Sequence, residues 1–129
     1  MRTVIDYSLC DGGEIILRPQ GLCNLTEVIV RADDDMAVLS NKVVLATVLG
    51  TFQSTLTNFR YVRKIWQKNA EEERLLGVSL TGIMDSALTG LKVNATDLVT
   101  LRELAVLTNQ HWAKELGINP SVAITTVNN

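Results

Sequence analysis

The chain has 129 residues, of which 47% are apolar and 20% are charged, and its formal net charge is −2. This length suits a single domain, and the lack of a basic excess argues against a nucleic-acid partner. The high apolar fraction fits a piece of a larger interior at least as well as a self-contained domain. No apolar run approaches the roughly 20 residues that span a bilayer, so no membrane partner is expected. Two cysteines without a secretory leader favour a reducing, cytoplasmic setting.

The first thirty residues carry the strongest candidate chemistry. Glu14 lies in a glycine-loosened stretch, Gly12–Leu17, and glycine lets a backbone enter a confined space. A carboxylate in such a place is a candidate acid or base, and a nearby cysteine is a candidate redox group. Cys23 opens a stretch, Cys23–Val30, whose β-branched residues predict a strand. From the residues alone, the simpler interpretation of Cys23 is a small buried apolar side chain.

An acidic run, Asp33–Asp35, precedes a long apolar segment. No second cluster of oxygen ligands at calcium-loop spacing follows it, so we interpret the run as a helix N-cap rather than a metal site. The helix is predicted over Met36–Asn58, and Gly50 within it indicates the close approach of a neighbouring element. Its apolar residues occupy more than one face, which is typical of a buried helix. They are Leu39, Val43, Ala46, Leu49 and Phe52, with Val44, Leu45 and Val48 beside them.

The next part of the chain predicts a second helix followed by a strand. Residues 60–74 are rich in charge, which favours a solvated helix face over a phosphate site, and they complete a helical region of about residues 36–74. A continuous apolar run over residues 75–82 then predicts a buried strand of the kind found in parallel sheets.

The last third predicts one helix and one strand. The helix covers about residues 96–116, begins after Asn94 and ends at Gly117 in the left-handed conformation. Residues 121–127 are β-branched and predict a strand. Strand, helices, strand, helix, strand is the order of an α/β fold. His111 is the only histidine, so a histidine-cluster metal site is not expected.

Four stretches, in order, match the pattern of a known enzyme family. They are Gly13–Leu17 with Cys23–Val28, Leu45–Arg60, Glu71–Asp85 and Gly117–Val127. Together they resemble adenosylcobalamin-dependent (class II) ribonucleotide reductases of the ribonucleoside-triphosphate type. The active-site loop of that family reads Asn-Pro-Cys-Gly/Ser-Glu-Ile. A second cysteine follows its glutamate by nine residues, as Cys23 follows Glu14 here.

The resemblance implies that residues 1–129 are one segment of the ten-stranded α/β barrel of these reductases, with an active-site loop and strand at about residues 12–30. The implied reaction converts ribonucleoside triphosphates to 2′-deoxyribonucleotides for DNA synthesis by a thiyl-radical mechanism. Glu14 would be the general base at the 3′-hydroxyl. Cys23 would be one of two cysteines oxidised to a disulfide in each turnover, its partner coming from a different strand.

The same resemblance implies a cofactor and partners. Adenosylcobalamin would generate the radical, and its binding region is expected outside this chain. The expected partners are the ribonucleotide substrate, a thioredoxin-like reductant and the remaining segments of the barrel.

One position departs from the family pattern. Aligned without a gap, the family's Asn-Pro-Cys falls on Cys10, Asp11 and Gly12, so glycine stands where the radical-bearing cysteine belongs. Either the alignment shifts here and Cys10 is the tentative radical residue, or the central thiol is absent. In the second case the chain alone is expected to be inactive.

Two other classes of function stay open. The chain could be a non-catalytic remnant that acts by docking with other chains. It could also be an unrelated helical interaction module whose interface is the apolar helix at residues 36–58. In either case the apolar helix predicts that the isolated chain associates, because several exposed Leu-sized side chains favour burial against one another.

Overall fold

The computed structural model of the chain describes residues 8–9, 16–84 and 93–125. These residues form a mixed helix and strand structure, as the sequence predicts. The strands are β1 (Ser8–Leu9), β2 (Ile16–Leu17), β3 (Cys23–Ile29), β4 (Leu75–Thr81) and β5 (Ile124–Thr125). The helices are α1 (Met36–Gln53), α2 (Lys64–Glu73) and α3 (Ala95–Leu116).

The central sheet is parallel and has the strand order β3-β4-β5. β3 and β4 pair over seven residues, from Cys23 opposite Leu75 to Ile29 opposite Thr81. Parallel neighbours need a crossover connection, because a hairpin can join only antiparallel strands. α1 and α2 lie in the crossover from β3 to β4, and α3 lies in the one from β4 to β5. β1 and β2 form a separate antiparallel ribbon.

The core lies between one face of the sheet and the helices α1 and α3. Leu39 and Val43 of α1 are fully buried, as are Leu80 of β4 and Leu101 of α3. Val28 and Val78 complete the apolar layer beneath α1. Each such side chain contributes about 1.5–3 kcal/mol when it leaves water, so this layer is the main source of stability for the described part.

Gly50 lets α1 lie close to the sheet. A Cβ atom at this position would be 3.4 Å from Leu76 Cδ2 and 3.6 Å from Thr26 Cγ2. The close approach expected from the sequence is therefore confirmed, and the neighbours are β4 and β3. A methyl group would make ordinary van der Waals contact there, whereas a larger side chain would push α1 off the sheet.

α1 starts as expected and ends earlier than expected. The Asp35 side chain accepts a hydrogen bond from the Val38 N–H, which confirms the N-cap. The predicted end at residue 58 is wrong, because the helix stops at Gln53. The Ser54 and Thr55 hydroxyls donate to the carbonyls of Thr51 and Phe52. Such local side-chain bonds compete with the helical ladder, and the chain leaves the helix through tighter turns.

The other predicted bounds differ little from those observed. β4 ends one residue before residue 82, and α2 begins at Lys64 rather than at residue 60. α3 begins after Asn94 and Gly117 is left-handed at its end, both as expected, and its start is a capping box between Asn94 and Asp97. In the last predicted strand, residues 121–123 are not in a strand, Ile124–Thr125 are, and residues 126–127 lie outside the described residues.

A buried amide joins α1, α3 and the segment before β5. The Asn109 Nδ2 group donates to Thr51 Oγ1 over 3.0 Å, and its Oδ1 accepts from the Ser121 N–H over 2.8 Å. Asn109 is 3% exposed and Thr51 is fully buried, so the bond between them has no water as a ready substitute. The bond to Ser121 holds the chain at the point where it turns towards β5.

Gly50→Ala should be neutral or stabilise the chain by up to about 1 kcal/mol, because alanine favours helix and the extra methyl fits. Gly50→Leu should destabilise it by about 1–3 kcal/mol through overpacking. Urea unfolding of the two variants beside the original chain measures both changes. Equal destabilisation by alanine and leucine would show that no room exists above Leu76.

Asn109→Leu should lower the free energy of unfolding by about 1–3 kcal/mol, because the half-buried Ser121 N–H loses its acceptor and the buried Thr51 hydroxyl loses a donor. The neighbouring, exposed Gln110→Leu is the matched control and should change stability by no more than about 0.5 kcal/mol. Both values follow from urea titration. Similar values for the two variants would contradict a bridging role for Asn109.

Candidate functional site

The structure describes one of the predicted site residues, Cys23. Cys10, Gly12 and Glu14 lie in the segment between β1 and β2, outside the described residues, so their predicted roles stay predictions. Cys23 is the first residue of β3, is half-buried, and lies opposite Leu75 of β4. β1 and β2 pair antiparallel, with Leu9 opposite Ile16.

β3 presents one face to the core and the other outwards. Asn24 and Val28 are buried, whereas Leu25 is 47% and Ile29 54% exposed. Because side chains alternate along a strand, Cys23 shares the outward side with Leu25, Glu27 and Ile29. We call the outward side chains of Leu25, Glu27 and Ile29, with Ser79 and Thr81 of β4, the open sheet face.

Glu27 is the acidic group of the open sheet face. Its carboxylate accepts a hydrogen bond from the Thr81 hydroxyl on the neighbouring strand. Glu27 is directly opposite Ser79 in the register, so Thr81 is its diagonal neighbour. This pair was not predicted from the sequence. A signal for Glu27 was present in the sequence. Glu27 lies between Leu25 and Ile29 at alternate positions of the strand, so it interrupts an otherwise apolar strand face.

The outer edge of β3 has no strand partner among the described residues. The Val30 N–H donates to the Thr81 carbonyl over 2.8 Å, so even-numbered backbone groups of this strand point towards β4. By alternation, the groups of Leu25, Glu27 and Ile29 point the other way. The Lys42 ammonium donates to the Ile29 carbonyl over 3.0 Å on that outer side. An unpaired row of this kind is a template for a further strand.

A groove continues from this edge up to α1. It has a volume of about 390 Å³. Leu45 and Leu49 of α1 line it and are 64% and 65% exposed. The apolar surface predicted for the helix on several sides is therefore present. Nothing in the described part covers Leu45 and Leu49, which agrees with the expectation that this helix exposes several apolar side chains in the isolated chain.

α1 also bears on the question of a membrane. Among the described residues it is the one helix whose length of 18 residues and mean hydropathy of 1.3 would allow it to cross a bilayer. The central helix of a soluble domain has the same properties. In this structure Leu39 and Val43 of α1 are fully buried in the core that includes the sheet.

Lys42 links the start of α1 to the end of β3. Besides the Ile29 carbonyl, its ammonium binds the Asp34 carboxylate. This hydrogen bond, followed by the one from the Arg31 backbone N–H, holds the pKa of Asp34 below its ordinary value. The acidic run thus fixes the α1 terminus through Asp35 as a cap and Asp34 as the partner of Lys42.

The described residues contain no candidate metal site. No group of three His, Cys, Asp or Glu side chains in the ranges 16–84 and 93–125 could hold a metal ion. His111 packs edge-on against Trp112, with 5.6 Å between the ring centroids.

Comparison of the chain with protein-family models, curated proteins and solved structures found no match. The resemblance to the reductases accordingly rests on the sequence motifs.

Asp34→Asn should reduce the loss of unfolding free energy that the chain shows as the pH falls below about 4. Because the folded pKa of Asp34 is lowered, its contribution is complete above about pH 4, the ordinary aspartate pKa. The contribution is lost as the pH falls through the folded value. The variant should be less stable than the original chain at neutral pH, and urea unfolding should show this difference shrinking in acid. Asp33→Asn, at an exposed neighbour, is the control, and a difference that stays constant with pH would contradict the prediction.

Proposed function

We propose that this chain is a segment of the catalytic barrel of a cytoplasmic, adenosylcobalamin-dependent ribonucleoside-triphosphate reductase. The observation that carries the proposal is the stretch from Gly13 to Val28, in which Glu14 and Cys23 keep the family's nine-residue spacing. Three further stretches in the family's order extend the match over most of the chain.

The fold supports this proposal in two ways. Its sheet is parallel and its strands are joined by helical crossovers, which is the construction of an α/β barrel. The sheet also stops at β3 within the described residues, with an open face and an unpaired edge. A barrel leaves no such edge, since every strand has two neighbours, so the remaining barrel segments would pair here.

The proposed reaction replaces the 2′-hydroxyl of a ribonucleotide by hydrogen. The hydroxyl leaves as water, and the two electrons come from two thiols that join as a disulfide. Cys23 is one of these thiols, and the second belongs to another strand of the barrel. A thioredoxin-like reductant then returns the disulfide to two thiols by exchange, being oxidised itself.

Glu14 has the role of general base. It takes the proton of the 3′-hydroxyl, which needs a carboxylate held within hydrogen-bond distance of that oxygen. The carboxylate follows a glycine pair in the stretch between β1 and β2. Adenosylcobalamin would supply the radical that starts the reaction, and by the family resemblance other parts of the assembly would hold it.

A second candidate function is an interaction module without chemistry. The exposed pair Leu45 and Leu49 favours it, because an apolar helix stripe beside an open sheet edge suits docking. Turnover distinguishes the two functions. If the chain is only a module, Glu14→Gln added to Gly12→Cys should leave the amount of product unchanged.

In a mixture with the remaining reductase segments, adenosylcobalamin and a dithiol, the unmodified chain should make no deoxynucleotide. Gly12 carries no sulfur, and Cys10 stands two residues away, about 6.6 Å along an extended chain, which is too far for radical transfer. Gly12→Cys should restore turnover, measured as deoxyribonucleoside triphosphate by chromatography. Adding Glu14→Gln should reduce that turnover by about 10²–10⁴-fold, whereas Asp33→Asn should not.

Two outcomes would contradict this assignment. Failure of Gly12→Cys to give product would remove the reductase proposal. Turnover by the unmodified chain that is lost in Cys10→Ser would keep the reductase and show Cys10 to be the radical residue.

A further inference from the structure

A small apolar hollow lies between the segment before β3 and the start of α2. Leu22, Phe59, Val62 and Trp66 line it, and its volume is about 210 Å³. All four lining side chains are apolar. A hollow of this size accepts one large side chain, and an unfilled apolar surface of this kind is a site where another molecule gains by covering it.

The chain around the hollow exposes more apolar surface. Tyr61 is 98% exposed, and Leu56 and Val62 are 73% and 50% exposed. An exposed tyrosine beside an apolar recess is common in binding surfaces, because its ring gives a large contact area and its hydroxyl stays in water.

The same segment carries positive charge. Residues 54–70 contain four basic and no acidic residues in a chain whose net charge is −2. One of the four, Lys68, pairs with Glu72 of the acidic run that follows. Arg60, Arg63 and Lys64 are all exposed. Among the described residues, no acidic side chain forms an ion pair with any of these three.

The position of these cations costs α2 some stability. α2 begins at Lys64, and its N-cap Arg63 makes no side-chain capping bond. Cations at a helix start are disfavoured by the helix dipole, whereas capping residues or acids there are stabilising. The local sequence therefore does not optimise α2 on its own, and an added anion would offset the repulsion.

We propose that this surface binds an acidic segment of another protein. One large apolar side chain of that segment fills the hollow, and its carboxylates lie against Arg60, Arg63 and Lys64. The combination favours a polypeptide, because a one-side-chain hollow suits an anchor residue and the surrounding cations suit carboxylates. This surface is separate from the chemistry of the proposed reductase and does not depend on it.

The test uses the full chain and a fluorescein-labelled, acetylated peptide of sequence Asp-Glu-Leu-Phe-Glu-Asp, with binding measured by fluorescence anisotropy at low salt. The peptide should bind, and its affinity should fall as salt is added. The variant with Arg60→Gln, Arg63→Gln and Lys64→Gln should bind at least about tenfold more weakly. The matched control, Arg102→Gln with Lys114→Gln at exposed positions of α3, should bind within about twofold of the original chain.

Val62→Ser tests the hollow separately and should also weaken binding, while circular dichroism confirms that each variant is folded. Four results would overturn the proposal. They are no binding of the acidic peptide, equal binding of its Asn-Gln-Leu-Phe-Gln-Asn counterpart, unchanged binding by the triple variant, and tighter binding of a thymidine oligonucleotide or phosphatidylserine vesicles. Tighter binding of the oligonucleotide would assign the surface to nucleic acid, and tighter binding of the vesicles would assign it to a membrane.

Discussion

The structure depends on the parallel pairing of β3 with β4. These strands are far apart in sequence and can lie side by side only if the chain between them crosses over the sheet. α1 makes most of that crossover, and it lies close to both strands because Gly50 presents no side chain to Leu76 and Thr26. Leu39 and Val43 then bury their side chains against Val28 and Leu80. The position of Cys23 opposite Leu75 and the burial of the core both depend on this pairing of β3 with β4.

The same arrangement decides which surfaces stay uncovered. α1 covers one face of β3 and β4, so Leu25, Glu27 and Ile29 face outwards, and the backbone of the same three residues points to the free edge. Lys42 protects the end of this edge by donating to the Ile29 carbonyl. Lysine at an edge is a common protection against unwanted strand pairing. The rest of the edge, with Leu45 and Leu49 above it, is where the sheet would continue.

Local signals in the sequence were sufficient for much of the fold. Asp35, Asn94 and Gly117 act through residues three or four positions away, so their caps could be predicted without knowing the tertiary structure. The early end of α1 could not be predicted in this way. The hydrogen bonds that the Ser54 and Thr55 hydroxyls donate to backbone carbonyls compete closely with the backbone hydrogen bonds of the helix. The bridge made by Asn109 was also beyond prediction, since its partners Thr51 and Ser121 meet it only after folding.

The sequence indicated which residues of the candidate site could carry chemistry, but not which side chains meet there. Glu14 and Cys23 are singled out by residue type, spacing and family resemblance, and Cys23 does open a strand, as expected. The pairing of Glu27 with Thr81 depends on a register between distant strands, which no local pattern fixes. The exposure of Leu45 and Leu49 likewise depends on what α1 packs against, so composition alone gave the apolar surface without showing which side would be buried.

The central claim is that the outer edge of β3, which has no strand partner in the described part of the chain, is open to another segment. Amide hydrogen exchange of the isolated chain tests it directly. The claim predicts slow exchange at Thr26 and Val28, whose N–H groups point to β4, and fast exchange at Leu25, Glu27 and Ile29, whose N–H groups point outwards. Equally slow exchange at all five amides would contradict it, because the edge would then already be paired.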